Sequence, residues 1–315
     1  MTINVGLVGC TSHGAHLASP LKELEALSFV YDQELAAAKR IGRKLHVPYG
    51  NSIEEAMKRR CDAVVIATPP RHHAGQIHTA VKKGKDILVT EPLASSLMET
   101  IKVMRLLKES DRILMVGAIQ RFSQVNRKLR ELVRNQLLRA PLRYGLLQDL
   151  DELPRGTPGD EAFHPMRYID LTGFLIGEDP ERVFASQSNE DEKEYSATNI
   201  VLDYPEGFKV FLTIGVVPNH SRQEILLVGE SFSIHWKSTD GVIRLWREDK
   251  EREISIRDVS PIRTMLNEFL DSVRNREAGT STLLDGVYAH LVWEMAGASM
   301  RAGSSLPIGY GVVEG

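Results

Sequence analysis

Five short runs in the first 120 residues are apolar almost without interruption, and segments of helical spacing separate them. They read INVGLVG (3–9), LSFVY (27–31), AVVIA (63–67), ILV (87–89) and ILMVG (113–117). A strand with one wet face alternates polar and apolar residues, whereas a strand covered on both faces does not. Buried strands that alternate with helices are joined by crossovers and form a parallel sheet. Helices are expected over 15–24, 33–45, 73–83 and 96–109, the last with Leu97, Ile101, Met104 and Leu107 at helical spacing. A shorter helix opens at Ser52, where Glu55 three residues on makes a capping-box pattern. The first part of the chain therefore reads as a doubly wound α/β domain.

After about residue 120 the texture changes. A helix over 125–134 is followed by a polar stretch with proline and glycine, 149–160, and by a helix over 165–176. Strand-like runs then follow one another without helices between them: ERVFASQS, NIVLDY, FKVFLTIGVV, EILLVG, FSIHWKS, VIRLWRE and EISI. Such a series suggests an α+β domain with a mostly antiparallel, open sheet. Helices over 264–274 and 284–300 close the chain. The expected division is 1–120 and 121–315.

The 315 residues suffice for two domains, and 42% hydrophobic with 26% charged residues is an ordinary soluble composition. A formal net charge of −3 argues against nucleic acid or an anionic membrane as the main partner. The cluster NEDEKE (189–194) reads as a solvated turn. Two cysteines, Cys10 and Cys61, have no metal-like spacing, which fits a reducing cytoplasm. No apolar stretch approaches the roughly 20 residues of a membrane helix. The start lacks a basic region before its first strand, so no signal peptide is expected.

The turn after the first strand is Gly9-Cys10-Thr11-Ser12-His13-Gly14. A dinucleotide fingerprint, G-x-G-x-x-G, belongs between a strand and a helix. Its first glycine makes the tight turn, its middle one admits the pyrophosphate, and its last allows close helix packing. Here the middle position is Thr11, which hinders close approach but offers a hydroxyl; His13 could touch the pyrophosphate. An ordinary βα turn is the plainer alternative. Asp32 at the end of the second strand lies twenty-three residues after Gly9. A carboxylate there accepts both ribose hydroxyls and repels a 2′-phosphate. No Arg or Lys follows it until Lys39, so NAD is favoured over NADP. Asp32 could equally cap a helix.

The run ILV ends at Thr90-Glu91-Pro92, because proline cannot donate to a sheet ladder. Glu91 is thereby set at a strand's carboxyl end, where open α/β sheets place ligands. Near a nicotinamide it could act as a base, pair with an arginine, or favour the oxidised cofactor electrostatically; otherwise it is a strand-end acid facing water.

Three further stretches carry a resemblance: ATPPRHH (67–73), AVKKGKDILVTEPLA (80–94) and LLDGVYAHLVWEMAGASMRAGSSLPI (283–308). In order and spacing the chain resembles the Gfo/Idh/MocA family of oxidoreductases over nearly its whole length. The resemblance implies a Rossmann domain and a C-terminal α/β domain whose open sheet mediates homo-oligomers, as dimers or tetramers. It implies NAD(P)-linked hydride transfer on a sugar, polyol or related small molecule. Thr68, Pro69 and His73 match the family's cofactor-side T-P-x-x-x-H, with capping and loop packing as the expected job of His73. The family's usual Glu-Lys-Pro is here Thr90-Glu91-Pro92. Its Asp, His and second Asp fall on Phe163, Arg167 and Asp170. The usual lysine, first aspartate and histidine are therefore absent.

Alcohol oxidation needs a base beside the hydroxyl, and carbonyl reduction an acid. His164, three residues before Arg167, is one candidate, since imidazole titrates near neutrality; beside Pro165 it could instead sit at a helix cap. Tyr168 could donate through its phenol or point into the core. Arg167 suits anchoring a carboxylate or phosphate, with Asp170 retained beside it. Arg121 could contact substrate or pair with an acid, and His220 could reach the cleft from a loop. A metal site at His72-His73 is not expected, because adjacent helix residues do not face one point. The leading reading is an NAD-dependent oxidoreductase with a rebuilt catalytic set. Its competitor is a family member that binds nucleotide or a small ligand without turnover. A third keeps the cofactor bound and uses transient oxidation to assist elimination or hydrolysis.

Overall fold

A computed structural model describes residues 2–137, 140–152, 165–188, 196–217, 221–257 and 259–311. Phe163, His164, His220 and the 189–194 cluster lie outside the described residues. In chain order the first elements are β1 (Val5–Val8), α1 (Ser12–Glu23), β2 (Leu27–Tyr31), α2 (Leu35–Leu45), β3 (Tyr49–Gly50) and α3 (Ile53–Lys58). They continue with β4 (Ala63–Ile66), α4 (His73–Lys82), β5 (Asp86–Thr90), α5 (Leu97–Lys108) and β6 (Leu114–Gly117). Next come α6 (Gln124–Leu137), β7 (Leu142–Glu152), α7 (Met166–Ile176), β8 (Arg182–Ser188), β9 (Ser196–Asp203) and β10 (Lys209–Val217). The rest are β11 (Arg222–Gly229), β12 (Phe232–Lys237), β13 (Val242–Arg247), β14 (Lys250–Ser255), α8 (Pro261–Asn275), α9 (Leu283–Ala302) and β15 (Leu306–Pro307).

The first sheet is parallel throughout, in the order β3-β2-β1-β4-β5-β6. This is the doubly wound dinucleotide-binding order. The strands β1, β4 and β6 are buried at every residue, as their unbroken apolar runs require. The order reverses between β1 and β4, and a crevice opens there at the carboxyl ends of the strands. Helices α3 and α5 are capped by Ser52 and Ser96, whose hydroxyls accept from the N–H of Glu55 and Glu99 at 3.3 Å.

The second sheet has nine strands, β14-β13-β12-β11-β7-β10-β9-β8-β15. All its pairs are antiparallel except β7 with β10. Alternation is clean: Val183 and Ala185 of β8, Ile200 and Leu202 of β9, and Val210, Leu212 and Ile214 of β10 are buried. The central strand β7 is not expected from the sequence. It mixes Tyr144, Gln148 and Asp149 with leucines and ends inside the polar stretch that begins at 149, so its period is masked.

The chain divides into two compact units, Met1–Phe122 with Val259–His290, and Ser123–Asp258 with Leu291–Gly315. The first unit runs to Phe122, and residues 259–290 return to it. The reason is packing. Met265, Leu266, Phe269, Leu270 and Val273 of α8 share one core with Leu7, Leu17, Leu21 and Leu88. This returning segment then runs beside β6, where Val116 N–H donates to Ser281 O at 3.3 Å.

Candidate nucleotide-binding site

Gly9, directly after β1, has φ +100°, a conformation that favours glycine. A Cβ there would lie 2.5 Å from Ala67 O, because the turn presses against the end of β4. A Cβ on Gly14 would lie 2.1 Å from Gly9 O. Gly14 therefore sets how closely α1 approaches the turn, while Gly9 shapes the turn itself. Thr11 is the N-cap of α1 in extended conformation, and its hydroxyl is not spent on the cap. The N–H groups of Gly14 and Ala15 donate to Thr11 O. The earlier amides of the helix have no intrahelical acceptor, and a helix start favours an anion. His13 is exposed in the first turn and does not line the cleft. The side chain of Ser12 lies outside what is described.

Asp32 follows β2 and is 9% exposed. Its Oδ2 accepts from Cys10 N–H at 2.7 Å and its Oδ1 from Glu34 N–H at 2.8 Å. A carboxylate has about four acceptor positions, so each oxygen keeps one for a hydroxyl in the cleft. Burial first, then the charge of Asp32, lift the Cys10 thiol to about 12 against the opposing effect of Arg40. Burial, with Asp32 and Glu54, likewise raises the Tyr31 phenol. This wall of the cleft is acidic.

The cleft measures about 740 Å³ and is lined from Gly9 and Thr11 past Asp32 and Glu34 to Thr68 and Pro69. These residues fit a dinucleotide: a tight glycine turn with helix amides for diphosphate, a carboxylate for ribose hydroxyls, and room beyond for a base. Thr68 is oriented by a hydrogen bond from its hydroxyl to Gln76 Oε1 at 2.7 Å.

His73 opens α4 and is fully buried, with no contact to the cleft. Its ring nitrogens lie 2.6 Å from Thr68 O and 2.9 Å from Pro92 O. Burial lowers its pKa against the backbone bonds that raise it. His73 holds together the loops after β4 and β5, and a cap is not its job: α4 has no side-chain cap bond.

Glu91 stands immediately after β5, half-buried, and its bond to Pro92 is cis. In the other unit α7 carries Arg167, half-buried, with Tyr168 and Asp170, both buried. Pro165 precedes the helix as its N-cap, and Gly177 at φ +84° ends it.

Of the two readings of Arg121, the structure shows the pairing with an acid. Its side chain is 6% exposed and pairs with Asp285 at 3.0 Å, and it donates to Thr280 O at 3.0 Å. Asp285 Oδ2 also accepts from the N–H and hydroxyl of Thr282, and Thr282 Oγ1 accepts from Asp285 N–H, closing a capping box at α9. Gly286 lies against β6, with a Cβ position 3.0 Å from Val116 Cγ2. The Asp285-Gly286 pair thus fastens the returning segment to the first unit, and Arg121 is its clasp. Sequence reasoning also passed over Glu34, Ile53, Arg71 and Gln76 as cleft residues. Arg71 sits inside the quoted ATPPRHH, but its side chain's direction is set by the turn between Pro70 and His73, which residue types do not reveal.

A family model described as the oxidoreductase family with an NAD-binding Rossmann fold matches residues 3–118. That stretch is thus similar to the NAD-binding domain of the Gfo/Idh/MocA oxidoreductases. It is 24% identical over 272 residues to the 2,7-anhydro-N-acetylneuraminate hydratase of Escherichia coli strain K12, covering 79% of this chain and 72% of the relative. It is 22% identical to an inositol 2-dehydrogenase of Acidothermus cellulolyticus, covering 97% and 94%. A solved structure, the UDP-N-acetylglucosamine 3-dehydrogenase of Acidithiobacillus ferrooxidans, shares the fold with a TM-score of 0.87 at 15% identity, covering 96% and 98%.

Proposed function

We propose that this protein is an NAD-dependent oxidoreductase acting on a sugar, polyol or related small hydroxy or carbonyl compound. The observation that carries the reading is the Asp32 carboxylate, fixed by two backbone amides at the rim of a cleft that begins at a glycine turn. NAD bound there would exchange a hydride with the substrate. The protein's own part begins with Gly9, Thr11 and the start of α1, which receive the diphosphate. Asp32 accepts the ribose hydroxyls, and with Glu34 and Glu54 nearby it disfavours a 2′-phosphate. Sugar-like substrates are supported by the names of the relatives, which include an inositol dehydrogenase and an anhydro-sugar hydratase.

For the proton, His164, Glu91 and Tyr168 are the candidates, with Arg167 and Asp170 as substrate anchors. This set replaces the family's lysine, aspartate and histidine. We further propose that the protein works in the cytoplasm, where its two buried, free cysteines remain reduced. Among the described residues no helix is long and apolar enough to cross a membrane. The open face of the nine-stranded sheet is proposed to join a second copy of the chain.

The test combines titration with NAD and NADP and a search for NADH formation over inositols, sugar acids and nucleotide sugars. The expected result is tighter NAD than NADP binding, with turnover on at least one compound. His164→Ala should abolish that turnover, and an unchanged rate would remove His164 as the acid or base. A second reading is favoured by the hydratase name of the Escherichia coli relative. There the nucleotide stays bound and the net reaction adds or removes water. Product formation without accumulating NADH would select it. Nucleotide binding with no conversion of any compound would select a ligand-binding role instead.

A further inference from the structure

The residues around the cleft include two acids, Asp32 and Glu34, and a single side chain of permanent positive charge, Arg71. Arg71 lies in the short 3-10 turn Pro70–His72 and is exposed. Among the described residues nothing pairs with it. Arg112, Arg121, Arg244, Arg263 and Arg276 each have a carboxylate partner. Its place on the cleft wall, more than its lack of a partner, sets Arg71 where a ligand's anion could meet it.

The charge needs of the cleft say which anion. The glycine turn, residues 9–14, contains no lysine or arginine. Its positive character comes from the start of α1, worth about half an elementary charge. A nucleotide diphosphate brings about two negative charges to that point, with Asp32 adding a third. Arg40 of α2 reaches Cys10 O at 3.5 Å, but one guanidinium leaves the balance negative, and a second cation is needed. The end of β4 supplies one: a Cβ on Gly9 would lie 3.0 Å from Thr68 N, so the loop that begins at Thr68 touches the glycine turn. Arg71 is three residues further along that loop, behind two successive prolines that fix its course.

We propose that Arg71 grips the diphosphate of the bound nucleotide from the side of the cleft opposite α1. The proposal rests on the dinucleotide reading given above and adds a residue to it. It also accounts for Thr11 at the middle fingerprint position. A threonine keeps the diphosphate slightly further from the turn, and a long cationic side chain from the facing loop makes up the contact.

The test is calorimetric titration of the full chain and of Arg71→Gln and Arg71→Lys with adenosine, ADP, NAD and NADP, at low and high salt. In Arg71→Gln, ADP and NAD should bind about tenfold more weakly or worse, as loss of a charge-assisted bond implies. Adenosine affinity should be unchanged, and the salt dependence of ADP binding should flatten. Arg71→Lys should recover part of the loss. Equal weakening of adenosine would mean that the guanidinium covers the base, and would overturn the proposal. Weakening confined to NADP would place it on a 2′-phosphate, and unchanged affinities would remove it from the site; either overturns the proposal. An unchanged melting temperature separates these outcomes from misfolding, which an exposed residue should not cause. Failure of the unsubstituted protein to bind any of the four is a different result, since it takes down the dinucleotide reading itself.

Discussion

Asp32 is constrained from two sides. Two backbone donors hold its oxygens, and the remaining lone pairs face the cleft. Asp32→Asn keeps the shape but has one acceptor oxygen where two are used. Its amide N–H₂ must then face Cys10 N–H or Glu34 N–H, leaving a donor unsatisfied at about 1–3 kcal/mol. The substitution also removes a charge and an acceptor from the ribose. We expect NAD affinity to fall about tenfold or more, since each 1.4 kcal/mol is tenfold. NADP affinity should fall less, because the repulsion of its phosphate is relieved. Titration with both nucleotides checks this, and unchanged NAD affinity would detach Asp32 from the ribose. Both this residue and the glycines of the turn were legible in the sequence, because a backbone conformation and a strand-end position leave few residue types free. Which acid pairs with Arg121 was not legible, because Asp285 is 164 positions away in the chain. No local pattern announces such a pairing.

At the scale of elements, α1 meets the sheet through Gly14. A Cβ there has backbone, not a flexible side chain, at 2.1 Å. Gly14→Ala should therefore push α1 off the turn, cost about 1–3 kcal/mol of stability and weaken nucleotide binding more than tenfold. Gly173→Ala in α7 is the contrast: its Cβ meets nothing within 4 Å. That change should raise stability by about 0.5–1 kcal/mol through helix propensity alone. Paired thermal unfolding and NAD titration of the two variants separates local geometry from a general intolerance of alanine. A second expectation concerns α8, which is distant in sequence from the core it completes. Phe269 is fully buried there, and Phe269→Ala should cost about 3–5 kcal/mol. The loss should appear in the unfolding of the nucleotide-binding unit. If only the sheet-bearing unit melted earlier, the assignment of α8 would be wrong. The helix itself was readable from its spacing. Its destination was not, since an apolar stripe specifies that a face is buried and not against which sheet. Strand β7 was missed for the complementary reason: a strand between two others exposes alternate residues on a face whose polarity depends on what covers it.

For the molecule as a whole, the open face of the second sheet poses the question of assembly. Cross-strand pairing sets Phe184, Val201, Phe211, Leu146 and Leu226 in one row across β8, β9, β10, β7 and β11. Four inter-strand steps make the row about 19 Å wide. Phe184 is 37% exposed, Phe211 41% and the neighbouring Tyr144 40%. Monomeric proteins seldom leave so continuous an apolar row uncovered. A flat row running across strands can match its own copy about a two-fold axis, where every residue counts twice. Beyond the row the face becomes charged: Glu224 accepts from His235 at 2.7 Å and lies 3.5 Å from Lys237. That change bounds the apolar surface on one side. Phe211→Glu places two carboxylates at the centre of a symmetric contact and removes two buried rings, each worth about 1.5–3 kcal/mol. The dissociation constant should rise by roughly a hundredfold or more. Light scattering after size exclusion should then show a monomer for the variant and a dimer or tetramer for the unsubstituted chain. NAD affinity should be unchanged, since the row belongs to the other unit. If the unsubstituted chain is monomeric at micromolar concentration, this face does not bind its own copy, and the assembly proposal is lost while the nucleotide site stands.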